Sequence, residues 1–371
     1  MTQVNKLKRI VIASVLKPVD EIRMYGKFGT SLAALDEFEI HIIGFPIQRK
    51  ADTAKNIYLH PISKNSFSRI SLNRMYAPFN VARMILSIRP HILIVATHEL
   101  LIPAVIIRII TGCKLIYDVQ ENYYRNINYG NAFPPFICSM VAGWVRLKEK
   151  LCSLWIELFI LAEKAYSNEL KFATPFLVIQ NKLPGKIVNQ YRRKGQRGYH
   201  QLLFSGTLAE SNGVYDAIRI VTGLHSLDPD VRLTIIGYAP LNSDFDRIKK
   251  LTSGKSFINL ITQSTPVPHY KILDEIQRAD FGLICYPRNP STRSSIPTKF
   301  YEYMSLGLPF LISHSDETHQ LTISTKSGIV LKEPVDYKGL IHQMRHFQPG
   351  HSQIDLLFDS EFNQLIPFLK K

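Results

Sequence analysis

Short apolar segments alternate along most of this sequence with stretches that have the composition of helices. The segments are rich in apolar residues, and the first of them, residues 9–16, lacks the polar residue at every second position that marks a half-exposed strand. They cover residues 9–16, 39–44, 92–96, 114–119, 176–180, 201–206, 231–237, 257–261, 281–286, 310–313 and 328–331. Such an alternation predicts an α/β chain with doubly wound parallel sheets and helices on both sheet faces.

The alternation stops at a polar, basic break and then restarts, which predicts two domains. We expect an N-terminal Rossmann-like domain over residues 1–185, a linker over 186–198 and a second Rossmann-like domain over 199–355. Residues 356–371 are expected to form a C-terminal helix that can cross back to the N-terminal domain. Because ligands bind beyond the carboxyl ends of parallel strands, the two domains are expected to face a cleft.

The sequence also predicts the local structure of three segments in the first half of the chain. Residues 20–29 are expected to form a glycine-containing loop, and residues 47–72 to be polar and irregular. Residues 137–167 are expected to form one long helix, which contains both tryptophans of the chain. Packing on the sheet or on a neighbouring element is the favoured interpretation of this helix, and a membrane-surface helix is the alternative.

The chain is basic, with a formal net charge of +15. Such a charge favours anionic partners, namely phosphates, nucleic acid or an anionic membrane surface. No nucleic-acid-binding motif or basic–aromatic stripe is present, so nucleic acid is not expected. The four cysteines form no CxxC pair, and the sequence lacks signal-peptide features and long apolar spans, so we expect a cytoplasmic protein. Peripheral association with the inner membrane face is the alternative.

Residues 294–313 contain the most informative group of polar residues. Pro297 is suited to the first turn of a helix, and Gly307 is suited to its end. Lys299 and Glu302 lie three residues apart, so they share one side of the predicted helix near its N-terminus. A helix N-terminus beside a lysine predicts a phosphate site. The alternative is an ordinary surface ion pair between Lys299 and Glu302.

Several segments together resemble the family-4, or group 1, glycosyltransferases of the GT-B fold. The segments that carry this resemblance are Leu115–Glu121, Leu203–Gly206, Asn212–Gly213, Leu233–Gly237, Ala279–Leu283, residues 297–304 and Gly307–Pro309. The resemblance covers nearly the whole chain, and its motifs are most specific around residues 279–313. It implies a retaining, hexosyltransferase-like enzyme of polysaccharide or lipopolysaccharide biosynthesis. The partners it implies are a nucleotide-sugar donor as substrate and a glycan or lipid-linked acceptor, with no cofactor and no metal.

The resemblance also implies roles for residues in the second half. Glu302 would accept hydrogen bonds from the ribose hydroxyls of the donor. Lys299 would neutralise the leaving nucleoside diphosphate. Gly206 and Thr207 would approach the phosphates, and Pro297 would shape the backbone beside them.

The sequence departs from the family pattern at four positions. Ser294 stands where the first acidic residue of the Glu-x7-Glu pair is expected beside the donor sugar. Thr207 and Asn212 stand where cationic residues often bind the diphosphate, and Gln120 replaces a histidine. The diphosphate would then also depend on backbone N–H groups and on Arg293 or Lys27.

Further candidates lie in the first half. His98 and Glu121 follow adjacent predicted strands, so either can orient the acceptor hydroxyl. Gly29, with Gly26, can let the first loop approach the phosphates. Asp118 is interpreted as a structural strand-end residue, and no role is assigned to the other histidines, His269 among them.

Two other functions remain open at this stage. The departures from the family pattern are also expected of a degenerate homologue that keeps the fold and acts as a binding or partner subunit. A sugar-nucleotide epimerase of the same fold is a further alternative, although it would need more carboxylates and histidines in the cleft.

Overall fold

The computed structural model of the chain describes residues 7–46, 55–63, 72–129, 134–193, 198–263, 266–287, 295–313, 316–350 and 355–371. Two compact units make up the chain. Unit 1 contains residues 1–181 and 358–371, and unit 2 contains residues 182–357. The chain therefore returns to unit 1 after completing unit 2.

Within the described residues, unit 1 is built around a parallel sheet of seven strands. They are β1 (Lys8–Pro18), β2 (Phe38–Phe45), β3 (Ile57–Pro61), β4 (Ile92–Val95), β5 (Lys114–Val119), β6 (Leu158–Leu161) and β7 (Phe176–Val178). Their spatial order is β3-β2-β1-β4-β5-β6-β7. The α-helices of this unit are α1 (Thr30–Ala33), α2 (Leu72–Ile88), α3 (Leu101–Thr111), α4 (Tyr123–Tyr129), α5 (Pro135–Cys152) and α6 (Tyr166–Glu169), with α14 (Phe358–Phe362) and α15 (Ile366–Lys370) from the C-terminal segment.

Unit 2 repeats this architecture with six parallel strands in its described part. They are β8 (Gln201–Thr207), β9 (Arg232–Tyr238), β10 (Ile258–Gln263), β11 (Phe281–Ile284), β12 (Phe310–Ile312) and β13 (Gly328–Val330), in the order β10-β9-β8-β11-β12-β13. Its helices are α7 (Gly185–Tyr191), α8 (Val214–Leu227), α9 (Asn242–Thr252), α10 (His269–Arg278), α11 (Thr298–Leu306), α12 (Asp316–Thr325) and α13 (Tyr337–Arg345). The predicted pair of doubly wound parallel-sheet domains is confirmed.

Core packing explains why a central strand such as β4 is apolar throughout. In β4, Leu93 and Val95 belong to the core on one face of the sheet, whereas Ile92 and Ile94 belong to the core on the other face. Both faces of the strand are therefore covered by helices, so no position is left for a solvated side chain.

The predicted helix over 137–167 is wrong in its second half. Helix α5 ends at Cys152, and β6 follows after a short 3₁₀ turn. The side chains of β6 alternate between the two cores of unit 1. A continuous apolar strand that directly follows an apolar helix has no change in periodicity by which the two can be separated.

Two other local expectations also need correction. Residues 22–29 form a π-helical segment rather than a loop. The Glu21 carboxylate caps its start, accepting hydrogen bonds of 2.9 Å from the N–H groups of Arg23 and Met24. Residues 57–61, within the stretch expected to be irregular, form the edge strand β3.

The segment expected to be a linker, 186–198, contains most of α7 and leaves the described residues at 194–197.

The C-terminal segment forms two short helices, α14 (Phe358–Phe362) and α15 (Ile366–Lys370), rather than one. Pro367 lies in the first turn of α15, where its missing N–H costs nothing. Phe358, Phe362, Leu365 and Leu369 are buried in the core of unit 1. The side chain of Lys8 also donates a 2.8 Å hydrogen bond to the carbonyl of Lys370.

None of the helices in the described residues combines the length and the apolar character needed to cross a membrane.

Candidate nucleotide site in unit 2 and polar clusters in unit 1

The loops after β8 and β11 lie at the point where the strand order of unit 2 reverses. These two strands are neighbours in the centre of the sheet, and the chain continues from β8 toward one edge of the sheet and from β11 toward the other edge. Ligands bind at such a point in open α/β sheets. Thr207 ends β8, and Cys285 follows β11.

Three glycines allow the backbone segments at the carboxyl ends of these strands to approach one another closely. Gly206 has φ +103°, a conformation that favours glycine. A Cβ atom on Gly237, its partner across the strand pair, would lie 1.8 Å from the Gly206 carbonyl oxygen. Gly213 has φ +80°, and its Cβ would lie 1.7 Å from the Cys285 carbonyl oxygen. The N-terminus of α8 therefore lies directly beside the end of β11.

Helix α11 carries the motif residues, and it packs closely on the same strands. The Tyr303 ring occupies the space above Gly282, where a Cβ atom would lie 2.3 Å from it. The Tyr303 hydroxyl is 2.9 Å from the Ser205 hydroxyl of β8. Pro297 occupies the position just before the helix, and its carbonyl accepts a 2.8 Å hydrogen bond from the Phe300 N–H.

Lys299 is a buried cation without a hydrogen-bond partner among the described residues. Its side chain is 6% exposed. The Nζ atom lies 4.0 Å from the centre of the Phe204 ring and 5.0 Å from that of the Tyr286 ring. Burial lowers the pKa of Lys299 from 10.5 to about 8. The aromatic faces compensate part of the lost hydration, and an anion would supply the missing partner.

Glu302 is equally buried, and it is held by a histidine from another helix. His269 is the first residue of α10, and its Nε2 atom lies 2.7 Å from Glu302 Oε1. The surface ion pair with Lys299 is therefore not formed, and that alternative is wrong. The sequence assigned His269 no role, because 33 residues separate it from Glu302.

The remaining predicted residues of unit 2 have different places. Gly206 and Thr207 lie at the end of β8, two and three residues after Phe204, whose ring faces the Lys299 amine. Asn212 donates a 3.3 Å hydrogen bond to the Tyr286 hydroxyl, so it helps to place that ring. Ser294 and Arg293 lie outside the described residues.

In unit 1, Asp118 neutralises a buried arginine. The Arg23 guanidinium binds both carboxylate oxygens of Asp118, at 2.7 and 2.9 Å, and donates to the Asn181 side chain at 3.0 Å. Gln120, which replaces the family's histidine, also donates to Asp118. Gly29 packs against Ile42, which gives a structural reason for a small residue there. Its role toward phosphates stays a prediction.

His98 and Glu121 have different partners. The Lys148 Nζ atom lies 2.8 Å from His98 Nδ1, and His98 Nε2 lies 3.6 Å from the Glu99 carboxylate. Glu121 is 3.6 Å from Lys17 and accepts a 2.9 Å hydrogen bond from Asn126. Their contact with an acceptor stays a prediction.

A cluster of one histidine and two aspartates with the spacing of metal ligands lies elsewhere in unit 2. His200, Asp228 and Asp230 have ligand atoms within 4.8 Å of one another, and Asp228 and Asp230 form an Asp-x-Asp triplet. Asp228 accepts a hydrogen bond from Tyr199, which lowers its pKa, and it lies 3.7 Å from Arg345. These residues lie just before the first residues of β8 and β9, at the amino ends of the strands. The candidate nucleotide site lies at the carboxyl ends, so the two are separate.

Solved structures with the same fold extend over nearly the whole chain. Sucrose-phosphate synthase from Thermosynechococcus elongatus has a TM-score of 0.67 at 9% identity, with 98% of each chain covered. HepE from Anabaena in complex with UDP-glucose has a TM-score of 0.63 at 13% identity, with 98% of this chain and 99% of that chain covered. A Listeria monocytogenes protein with a provisional assignment as a UDP-N-acetylglucosamine 2-epimerase has a TM-score of 0.60 at 11% identity, with 98% and 96% covered.

No family model and no curated protein matches the sequence. At these identities the structural likeness concerns the fold alone, and the fold is shared by transferases and by the provisionally assigned epimerase. The chain has the two-domain GT-B fold that its resemblance to group 1 glycosyltransferases implies.

Proposed function

We propose that this protein is a retaining, metal-independent glycosyltransferase that uses a nucleotide-sugar donor. The observation that carries the proposal is the Lys299 amine, which is buried, without a hydrogen-bond partner in the described residues, and located where the strand order reverses. A nucleoside diphosphate offers the anion that this amine lacks. The Glu302 carboxylate, three residues further along α11, suits the ribose hydroxyls of the same ligand.

The acceptor in this proposal is a glycan or a lipid-linked saccharide of surface polysaccharide or lipopolysaccharide synthesis, used at the inner membrane face. The basic character of the chain supports an acceptor that carries phosphate. His98 and Glu121 remain the candidates for contact with the acceptor hydroxyl.

The first test measures binding of UDP, GDP and ADP by calorimetry. We expect Glu302→Ala to lower the affinity for the preferred nucleotide about 100-fold, because two hydrogen bonds to a charged group are lost. His269→Ala should lower it about tenfold, since Glu302 loses its positioning partner. His342→Ala, which removes an exposed histidine from the same unit, is the matched control and should bind normally.

The second test measures transfer from labelled nucleotide sugars to a lipid-linked acceptor. Lys299→Ala should lower kcat more than affinity, because its charge matters most as the diphosphate leaves. Wild-type activity in both Glu302→Ala and Lys299→Ala would contradict the site. A folded chain that binds none of UDP, GDP and ADP would instead favour the degenerate binding subunit, for which Ser294, Thr207, Asn212 and Gln120 are the motivating positions.

A further inference from the structure

Helices α2, α3 and α5 form one layer over one face of the unit 1 sheet. Val81 of α2, Ala104 of α3 and Cys152 of α5 all belong to the same buried core. Each helix therefore already has an inward apolar side, and its outward side would normally be polar.

The outward side of this layer is apolar as well. Trp144, for example, is 57% exposed, and Ile110 is 68% exposed. The exposed apolar side chains of the layer are Tyr76, Phe79, Leu86, Ile102, Ile106, Ile109, Ile110, Met140, Trp144, Leu147 and Leu151, followed by Leu154 and Trp155 just after α5. We call this set the apolar face. It contains both tryptophans of the chain, and contiguous exposure of this extent marks an interaction surface.

The charges in and around the apolar face are mostly positive. The partly exposed Glu157, two residues after Trp155, is an exception, and it pairs with Arg108 of α3 at 2.9 Å. Glu149 is the one acidic residue in the sequences of the three helices, and it is buried. Arg83, Lys150 and Arg89, which directly follows α2, are exposed. Exposed carboxylates are therefore absent from the described side chains of this helix layer.

We propose that the apolar face docks the protein on an anionic lipid bilayer. Tryptophan side chains favour the membrane–water boundary, and the neighbouring cations attract anionic headgroups. The charges oppose a second copy as the occupant. A symmetric contact would set against each other two faces that both carry Arg83, Arg89 and Lys150, with no exposed carboxylate on the described part of these helices to pair with them. The inference deepens the proposed function, which places the acceptor at a membrane, but docking itself needs no sugar transfer.

The test measures flotation of the full chain with vesicles. We expect binding to vesicles of equal parts phosphatidylcholine and phosphatidylglycerol, and much weaker binding to pure phosphatidylcholine. The double variant Ile106→Asn/Trp144→Ser should bind the anionic vesicles about tenfold more weakly or worse, because two buried apolar contacts are lost. Arg83→Gln/Lys150→Gln should lose about fivefold for each charge removed.

The matched control is Leu241→Ser/Ile323→Ser, which removes two exposed apolar side chains from unit 2 and should bind as the wild type does. Thermal unfolding and UDP affinity of every variant show whether folding and the nucleotide site are intact, so failure of docking is distinguishable from failure of the proposed function. Absence of wild-type binding to anionic vesicles would overturn the proposal. It would also be overturned if Ile106→Asn/Trp144→Ser abolished a dimer seen by light scattering while vesicle binding persisted.

Discussion

Lys299 and Arg23 are both buried cations, but their surroundings differ. Arg23 meets the Asp118 carboxylate with two of its nitrogens, and its third donates to Asn181. Its charge and its hydrogen-bonding capacity are both used within the fold. Lys299 faces two aromatic rings and has no hydrogen-bond partner in the described part of the chain. A buried ammonium left in this state destabilises the folded protein, which is expected where a ligand completes the site.

The lowered pKa of Lys299 predicts a pH dependence of nucleotide binding. Below a pKa of about 8 the ammonium is charged, and it loses its proton as the pH rises through that value. A bound diphosphate stabilises the charged form. The affinity for UDP should therefore be nearly constant below about pH 8 and fall by up to about tenfold per pH unit above it. Calorimetry from about pH 7 to about pH 9.5 measures this change.

Lys299→Met is the control for this prediction, because it should bind UDP weakly at every pH in that range. Protein stability provides an independent check. Between about 8 and the ordinary lysine value of 10.5, the unfolded chain binds more protons than the folded chain does. The contribution of Lys299 therefore makes the unliganded protein more stable as the pH rises through this window. A wild-type affinity that stays constant up to pH 9.5 would contradict the role of the amine.

At the residue scale, the sequence predicts side chains that lie close together along the chain. Lys299 and Glu302 are found by their spacing on one helix and by the motif around them. His269 and Phe204 reach the same place from α10 and β8, so only the pairing of strands brings them there. No pattern within the local sequence marks His269 as part of the site, and the motif Leu203–Gly206 does not reveal that the Phe204 ring faces the lysine.

At the element scale, the start of α8 depends on a glycine. Gly213→Ala would place a methyl group 1.7 Å from the Cys285 carbonyl oxygen, in a left-handed conformation that alanine disfavours. We expect the free energy of unfolding to fall by about 3 kcal/mol or more. The affinity for UDP should fall as well, since the helix N-terminus is displaced. Urea unfolding and calorimetry measure the two effects.

Gly143→Ala is the matched control, because Gly143 lies exposed within α5 and a Cβ atom there meets nothing within 4 Å. This variant should be as stable as the wild type or more stable by up to about 1 kcal/mol. If Gly213→Ala unfolded at the same urea concentration as the wild type, the close approach of α8 to β11 would be wrong.

At this scale, a helix or a strand can be predicted from the sequence where its length and its flanking residues distinguish the one from the other. The alternation of apolar strands with helices predicts both sheets, because a buried parallel strand must be apolar on both faces. The strand β6 was mistaken for helix because four apolar residues fit either structure. The edge strand β3 cannot be recognised in the sequence because it has only five residues, is partly exposed and lies within a longer polar stretch.

At the scale of the whole molecule, the C-terminal residues belong to the core of unit 1. Phe358 is fully buried, and its ring centre lies 5.4 Å from that of Phe28. Phe358→Ala should therefore destabilise unit 1 by about 3–5 kcal/mol, because a cavity remains in its core. Hydrogen exchange measured by mass spectrometry should show the loss of protection in residues 1–181.

Phe176→Ala removes a phenylalanine that is 41% exposed in the same unit, so it should change stability by much less. Loss of protection confined to residues 182–357 in Phe358→Ala would show that the C-terminal helices stabilise unit 2 instead.

The return of the chain to unit 1 sets an order for folding during synthesis. The residues of unit 2 are contiguous, so this unit can fold as soon as it has left the ribosome. Unit 1 begins first, but its core lacks Phe358, Phe362, Leu365 and Leu369 until the last 14 residues, 358–371, have emerged. The domain that is translated first is therefore the last to be completed, which reverses the usual N-terminal-first order. A chain that terminates a few residues early would carry a finished unit 2 joined to a unit 1 with an open core.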